Sequence, residues 1–148
     1  MGYTHYWTAP RYEYHEEEIK QALPTIKAII TDYSEILCYE DDTPEQDPVV
    51  NERLIRFNGK EGSGYETFYM TMNGDWNFCK TNRHAYDVVV CSVLLAIKAY
   101  VPSFEFNSDG KFDNELWLKA RENVKEYGIM TEISSSGKLQ VSLPFEGL

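Results

Sequence analysis

The chain is 148 residues long, with 24 acidic against 14 basic side chains, a net charge of −10 at pH 7 and an aromatic share of 14%. That length supports one hydrophobic core without staples, the aromatic content argues against disorder, and the acidity argues against a nucleic-acid binder, whose affinity comes mainly from Lys and Arg on phosphates. No apolar run approaches the roughly 20 residues that cross a bilayer, so no membrane association is expected.

The N-terminal "MGYTHYW" has neither a basic region nor a small-residue cleavage site, and Tyr6 stands where myristoylation needs Ser or Thr. Cys38, Cys79 and Cys91 are odd in number and lack CxxC spacing, which reads as reduced thiols in a cytoplasm. The charge is uneven. Residues 1–50 hold eleven acids and three bases, 51–100 five and six, and 101–148 eight and five. Only the middle third would receive an anion without net repulsion.

Along the chain, Tyr3, His5 and Trp7 alternate with Thr4 and Tyr6, the period of a strand. Over residues 14–37, Ile19, Leu23, Ile26, Ile30, Tyr33 and Leu37 recur at helical spacing, and Pro24 is expected to kink or split that helix. An acidic, proline-punctuated loop follows at 39–48. Residues 49–57 and 65–72 read as a hairpin across "NGKEGSG", and "NGD" turns into a third strand at 76–80. A nearly all-apolar helix is expected at 86–100, then a short strand in "SFEFNSDG". A last helix, capped by Asp113, carries Leu116, Ala120, Val124 and Tyr127 on one face and ends at Gly128. Residues 129–148 form an extension with one further strand, 139–143. The order predicts an α+β fold: a single two-layer domain over residues 1–148, its mixed or antiparallel sheet carrying helices on one face.

The stretch "WNFCKTNRHAYD" at 76–87 is the natural place to hold an anion. Strand alternation puts Trp76, Phe78 and Lys80 on one face and Asn77, Cys79 and Thr81 on the other. The helix that follows presents unpaired N–H groups, with Lys80, Arg83 and the Thr81 hydroxyl nearby. It is no P-loop, because the glycines that wrap a phosphate are missing. The competing reading is a capped helix with solvated cations. Arg56, flanked by Ile55 and Phe57, suits a phosphate or carboxylate, but an ion pair with Glu66 is slightly favoured. His5, His15 and His84 show no metal-ligand spacing, and neither a GxSxG elbow nor a cysteine signature is present. No catalytic residue, metal set or cofactor motif is therefore expected. Tyr3, His5 and Trp7 could form an aromatic wall for a ring, or equally a half-buried edge strand.

In order and spacing, "MGYTHYW", "LIRFNG", "ETFY", "FCKTNRHAYDVVVCSVLLAIKAY" and "SDG" before a final helix resemble a family of small uncharacterised proteins of bacteriophages, prophages and bacteria. The similarity touches most of residues 1–128. Ala85 departs from it, since family members usually place proline before the Tyr-Asp pair. The resemblance implies a phage-type cytoplasmic protein and brings no established activity. In that setting a small protein without catalytic motifs suits the sequestering of a nucleotide immune signal, across a homo-oligomer interface in some cases. The residue types supply phosphate cations (Lys80, Arg83, Arg56), hydrogen-bond partners (Thr81, Asn58), stacking rings (Tyr3, His5, Trp7, Tyr86) and, in Asp87, a carboxylate for a ribose hydroxyl or base amine. The alternatives are an acidic adaptor docking on a basic host surface and a nucleotide-hydrolysing enzyme with His5 or His84 as base.

Overall fold

The computed structural model describes residues 2–143. Its elements run β1 (Thr4–Thr8), α1 (Tyr12–Asp32), β2 (Leu37–Cys38), β3 (Val49–Val50), β4 (Leu54–Gly59), β5 (Phe68–Thr71), β6 (Trp76–Lys80), α2 (Asp87–Tyr100), β7 (Glu105–Ser108), α3 (Glu115–Lys125), β8 (Met130–Ile133) and β9 (Leu139–Ser142). The fold is α+β, and every strand pairing within it is antiparallel. One contiguous apolar core runs from Trp7 on β1 to Ile129, with Leu139 and Val141 of β9 packed against it.

The strand β1 does what its period dictates. Tyr3, His5 and Trp7 turn inward and are buried, while Thr4, Tyr6 and Thr8 turn outward. It is a central strand, flanked by β6 and β7, so the edge-strand reading is corrected. In register, Thr8 lies between Trp76 and Glu105, and Tyr6 lies between Phe78 and Asn107. A second sheet is built on β4, which pairs with β2, β3 and β5. It abuts the first where Glu66 N–H donates to the Lys80 carbonyl at 3.2 Å.

Several boundaries differ from expectation for local reasons. The long first helix stops at Asp32, and Leu37 belongs to β2. Pro24 neither splits nor ends α1; the irregular residue is His15, with φ −135° and ψ 27°. Pro24 is exposed, so the carbonyl one turn back that it leaves without a partner faces water. The strand expected at 49–57 breaks because the Asn51 side chain accepts from Arg53 N (2.8 Å) and Leu54 N (2.9 Å), bending the chain between β3 and β4. The cap of α3 is Asn114, which accepts from Trp117 N at 3.0 Å, in place of Asp113. Beyond α3, β8 and β9 form a hairpin; the remainder of the C-terminal extension, 144–148, lies outside the described residues.

The turn after β4 is built by close approach. Asn58 is buried, its side-chain oxygen accepts from Gly59 N at 2.7 Å, and its amide donates to Tyr65 O and Thr67 Oγ1, each at 3.0 Å. A Cβ on Gly64 would collide with Asn58 Oδ1 and Gly59 N. Gly64→Ala is therefore expected to destabilise the fold by about 1–3 kcal/mol, the range for forced overpacking, measured by urea denaturation; an unchanged midpoint would mean the turn has slack.

Candidate functional site

The N-terminus of α2 does hold an anion, and it is the chain's own. Asp87, the first residue of the helix, is fully buried. Its Oδ1 accepts from the Thr81 hydroxyl and from His5 Nε2 at 2.7 Å; Cys91, one turn along the helix, points its thiol at Oδ2 at 3.5 Å. The helix dipole favours a carboxylate there. With that position filled from within, an external phosphate has no access to the helix terminus.

Counting donors sets the protons in this network. Ser108 Oγ on β7 accepts from Trp117 Nε1 and from Gly110 N, both at 3.0 Å. Its own proton is therefore directed to His5 Nδ1, 2.9 Å away, leaving the ring proton on Nε2 facing Asp87. Ser108, His5 and Asp87 thus form a connected chain of the residue types used in nucleophilic catalysis. Both lone pairs of the serine are occupied and His5 is fully buried, so the chain acts as a hydrogen-bonded tie among β1, β7, α2 and α3.

His5, Asp87 and Cys91 also place a nitrogen, a carboxylate oxygen and a sulfur within 4.8 Å of one another, a set able to hold a metal ion. The sulfur lies 3.5 Å from both His5 Nε2 and Asp87 Oδ2, which suits a tetrahedral centre with bonds of roughly 2.0–2.3 Å. The histidine does not suit it. Ligation needs the Nε2 lone pair and a proton on Nδ1, and Ser108 already accepts two N–H groups. The donor set fits a closed hydrogen-bond network better than a metal cage.

Seven of the ten residues expected to meet a ligand are therefore interior. Tyr3, His5, Trp7, Asn58, Thr81, Tyr86 and Asp87 are all buried. The first three form no solvent-facing wall: Tyr3 packs edge-on against His5, His5 against Trp117, and Trp7 against Phe68. Tyr86 donates its hydroxyl to the Glu66 carbonyl. Arg56 pairs with Glu40 of the acidic loop, its guanidinium 4.4 Å from the Tyr39 ring centre. The expected partner, Glu66, instead accepts from Lys80 N at 2.7 Å.

Arg83 is exposed and Lys80 half-buried, and neither makes an ion pair among the described residues. The Lys80 ammonium sits 5.6 Å from the Tyr65 ring centre and the Arg83 guanidinium 4.3 Å from that of Tyr3. They flank a tight turn in which His84 N donates to Thr81 O at 3.0 Å, while Asn82 and Arg83 adopt φ of 53° and 61°. Two successive left-handed residues without glycine make a strained turn of the I′ kind. The Tyr3 carbonyl holds it, accepting from Thr81 N at 3.0 Å and Asn82 N at 3.1 Å.

Sequence reasoning overlooked the accessible aromatic surface. The outward face of β6–β1–β7 carries Trp76, 62% exposed, and Phe78, 46% exposed. Trp76 lies nearly parallel to Tyr6, at 6.1 Å and 21°, and 5.7 Å from Phe78. Lys80 continues the same face one pleat further on. The alternation of Trp76, Phe78 and Lys80 was the available signal; their pairing with Tyr6 required the register. Neither Ser108 nor Trp117 had a local signal for a place in the buried network.

Comparison with protein-family models, curated proteins and solved structures finds no match to this chain. No helix among the described residues is long and apolar enough to cross a membrane.

Four outcomes test this site. His5→Ala leaves the buried Asp87 carboxylate without its main partner and is expected to cost about 3–5 kcal/mol in chemical denaturation; a loss under about 1 kcal/mol would sink the network's structural role. Arg56→Ala should leave the melting temperature within a few degrees while raising protease cleavage in 39–48, since it releases Glu40. Burial pushes the Cys79 thiol from its usual 9.0 up to about 12 and raises that of Cys91 well above its usual value. At neutral pH both thiols should resist a disulfide reagent until the protein is denatured. Because only the unfolded chain ionises these thiols between about pH 9 and 12, folding stability should fall as pH rises through that window, read from denaturation midpoints.

Proposed function

We propose that this chain is a phage-type, non-catalytic protein that binds and sequesters a phosphate-bearing small molecule, a nucleotide signal of host defence, on the outward face of β6–β1–β7. The observation that carries this reading is the run Trp76, Phe78, Lys80 beside Tyr6 on a sheet face that no helix covers among the described residues. Flat, exposed rings stack on a base whatever its sequence context, and an unpaired ammonium on the same face attracts the phosphate. Arg83, just past the end of β6, lies over the inward-turned Tyr3 ring, so Lys80 is the cation that this face offers in a chain whose net charge is −10. The resemblance of "MGYTHYW" and "FCKT" to phage and prophage proteins supports the setting, and the interior position of the Ser108–His5–Asp87 chain supports binding over turnover. The expected set of ligand contacts is thereby moved outward: Lys80 stays, and Tyr6, Trp76 and Phe78 replace the buried rings.

Incubating the protein with a panel of cyclic dinucleotides, nucleoside diphosphates and ADP-ribose, then filtering, measures what it retains. One species is expected to disappear from the filtrate and to return intact on heat denaturation. Trp76→Ala should weaken its binding about 5- to 150-fold, the range for one stacked base, and Lys80→Ala should weaken it with steep salt dependence. Both should leave the melting temperature nearly unchanged, because both side chains lie outside the core. Retention of no nucleotide, or release of a new product, would overturn the reading.

A further inference from the structure

Beside the exposed rings the same sheet face contains a slot of about 300 Å³, lined in part by Tyr6, Thr8, Trp76, Glu105 and Asn107. Its shape follows from register. Trp76, Thr8 and Glu105 sit abreast on β6, β1 and β7, so Trp76 and Glu105 are two strand spacings, roughly 10 Å, apart at the backbone. Only the short Thr8 side chain stands between them. The dip is wide enough for a flat heterocycle, with Trp76 and Tyr6 as one wall.

The other wall is polar and has a defined order of donor and acceptor. Asn107 and Glu105 are two residues apart on β7, both exposed and both on this face. Asn107 Oδ1 accepts from Ser108 N at 2.9 Å, which turns the amide N–H₂ outward as a donor. The Glu105 carboxylate makes no hydrogen bond or ion pair among the described residues. Two cations share a groove with it, Lys98 and Lys138; neither pairs with it among the described residues, and Lys98 is held by the carbonyls of Pro102 and Phe104 at 2.6 and 2.8 Å, which leaves both carboxylate oxygens open as acceptors.

Resting on the nucleotide reading above, the geometry points to guanine as the base this slot selects. The pairing edge of guanine carries an acceptor, O6, followed by two donors, N1–H and N2–H₂. That order complements an amide donor beside a carboxylate with two acceptor oxygens. Adenine has one donor on that edge and leaves a carboxylate oxygen unmatched. Uracil and cytosine have smaller rings and cover less of Trp76. A carboxylate here would repel a phosphate, but Lys80 lies four residues from Trp76 along β6, roughly 13 Å away, so base and phosphates occupy opposite ends of the face.

Equilibrium binding of GDP, IDP, XDP and ADP to the full chain and to Glu105→Gln tests this. GDP is expected to bind at least about tenfold more tightly than ADP, with IDP, which lacks the N2 amine, in between. In Glu105→Gln the order should reverse toward XDP, whose O2 accepts from the new amide where guanine offers a donor. A merely structural Glu105 would not move that preference. ADP binding as tightly as GDP, with no change in Glu105→Gln, would overturn the choice of guanine and leave nucleotide binding standing. Failure of the unaltered protein to bind any of the four, or any nucleotide of the panel, would overturn both.

Discussion

The arrangement of this protein depends on one buried carboxylate. Asp87 lies at the start of α2, where the helix dipole and the Thr81 hydroxyl favour it, and His5 reaches it from the central strand. A lone buried charge would cost several kcal/mol. Satisfied by three donors, it becomes the point where β1, the turn after β6 and α2 are tied together. Ser108 and Trp117 extend the tie to β7 and α3. The strained turn at Asn82 and Arg83 persists because this network and the Tyr3 carbonyl hold the chain on both sides of it.

From that constraint follows a division between the two faces of the three-stranded sheet. Residues turned toward α2 are occupied with each other, and their polar atoms, the buried Trp7 indole N–H apart, have partners inside the protein. Residues turned away have no covering element among the described residues, so recognition of a small molecule on this sheet falls to them. The face is unusual in composition for solvent contact: two large aromatics, a tyrosine stacked beside them, and a cation and a carboxylate that make no ion pair among the described residues. Scattered exposed apolar side chains are ordinary; an ordered row with a cation at one end and a hydrogen-bonding edge beside it is the arrangement that suits a nucleotide.

Much of the fold was legible because it is written in local periods. The alternation at residues 3–8, the helical spacing in α1, the apolar run of α2 and the glycine-rich turn after β4 all read correctly as types of element. Boundaries read less well where a single side chain redirects the backbone, as Asn51 does between β3 and β4 and Asn114 does at the start of α3. The candidate site read worst. Lys80, Thr81 and Asp87 are neighbours in sequence and look like one pocket, yet the pleat and the helix start send Lys80 to water and the other two to the interior.

The sequence by itself determined the class of fold, which residues of β1 and of β6 share a face, and the presence of a strand leading into a helix. Those properties depend on residues within a few positions of one another. Only the tertiary structure decided what each functional side chain meets. The partner of Asp87 is a histidine 82 residues away, and that of His5 Nδ1 is a serine 103 residues away. The pairing of Tyr6 with Trp76 and the place of Glu105 beside Thr8 depend on strand register. Long-range pairing is set by the whole core packing at once, and no local pattern encodes it.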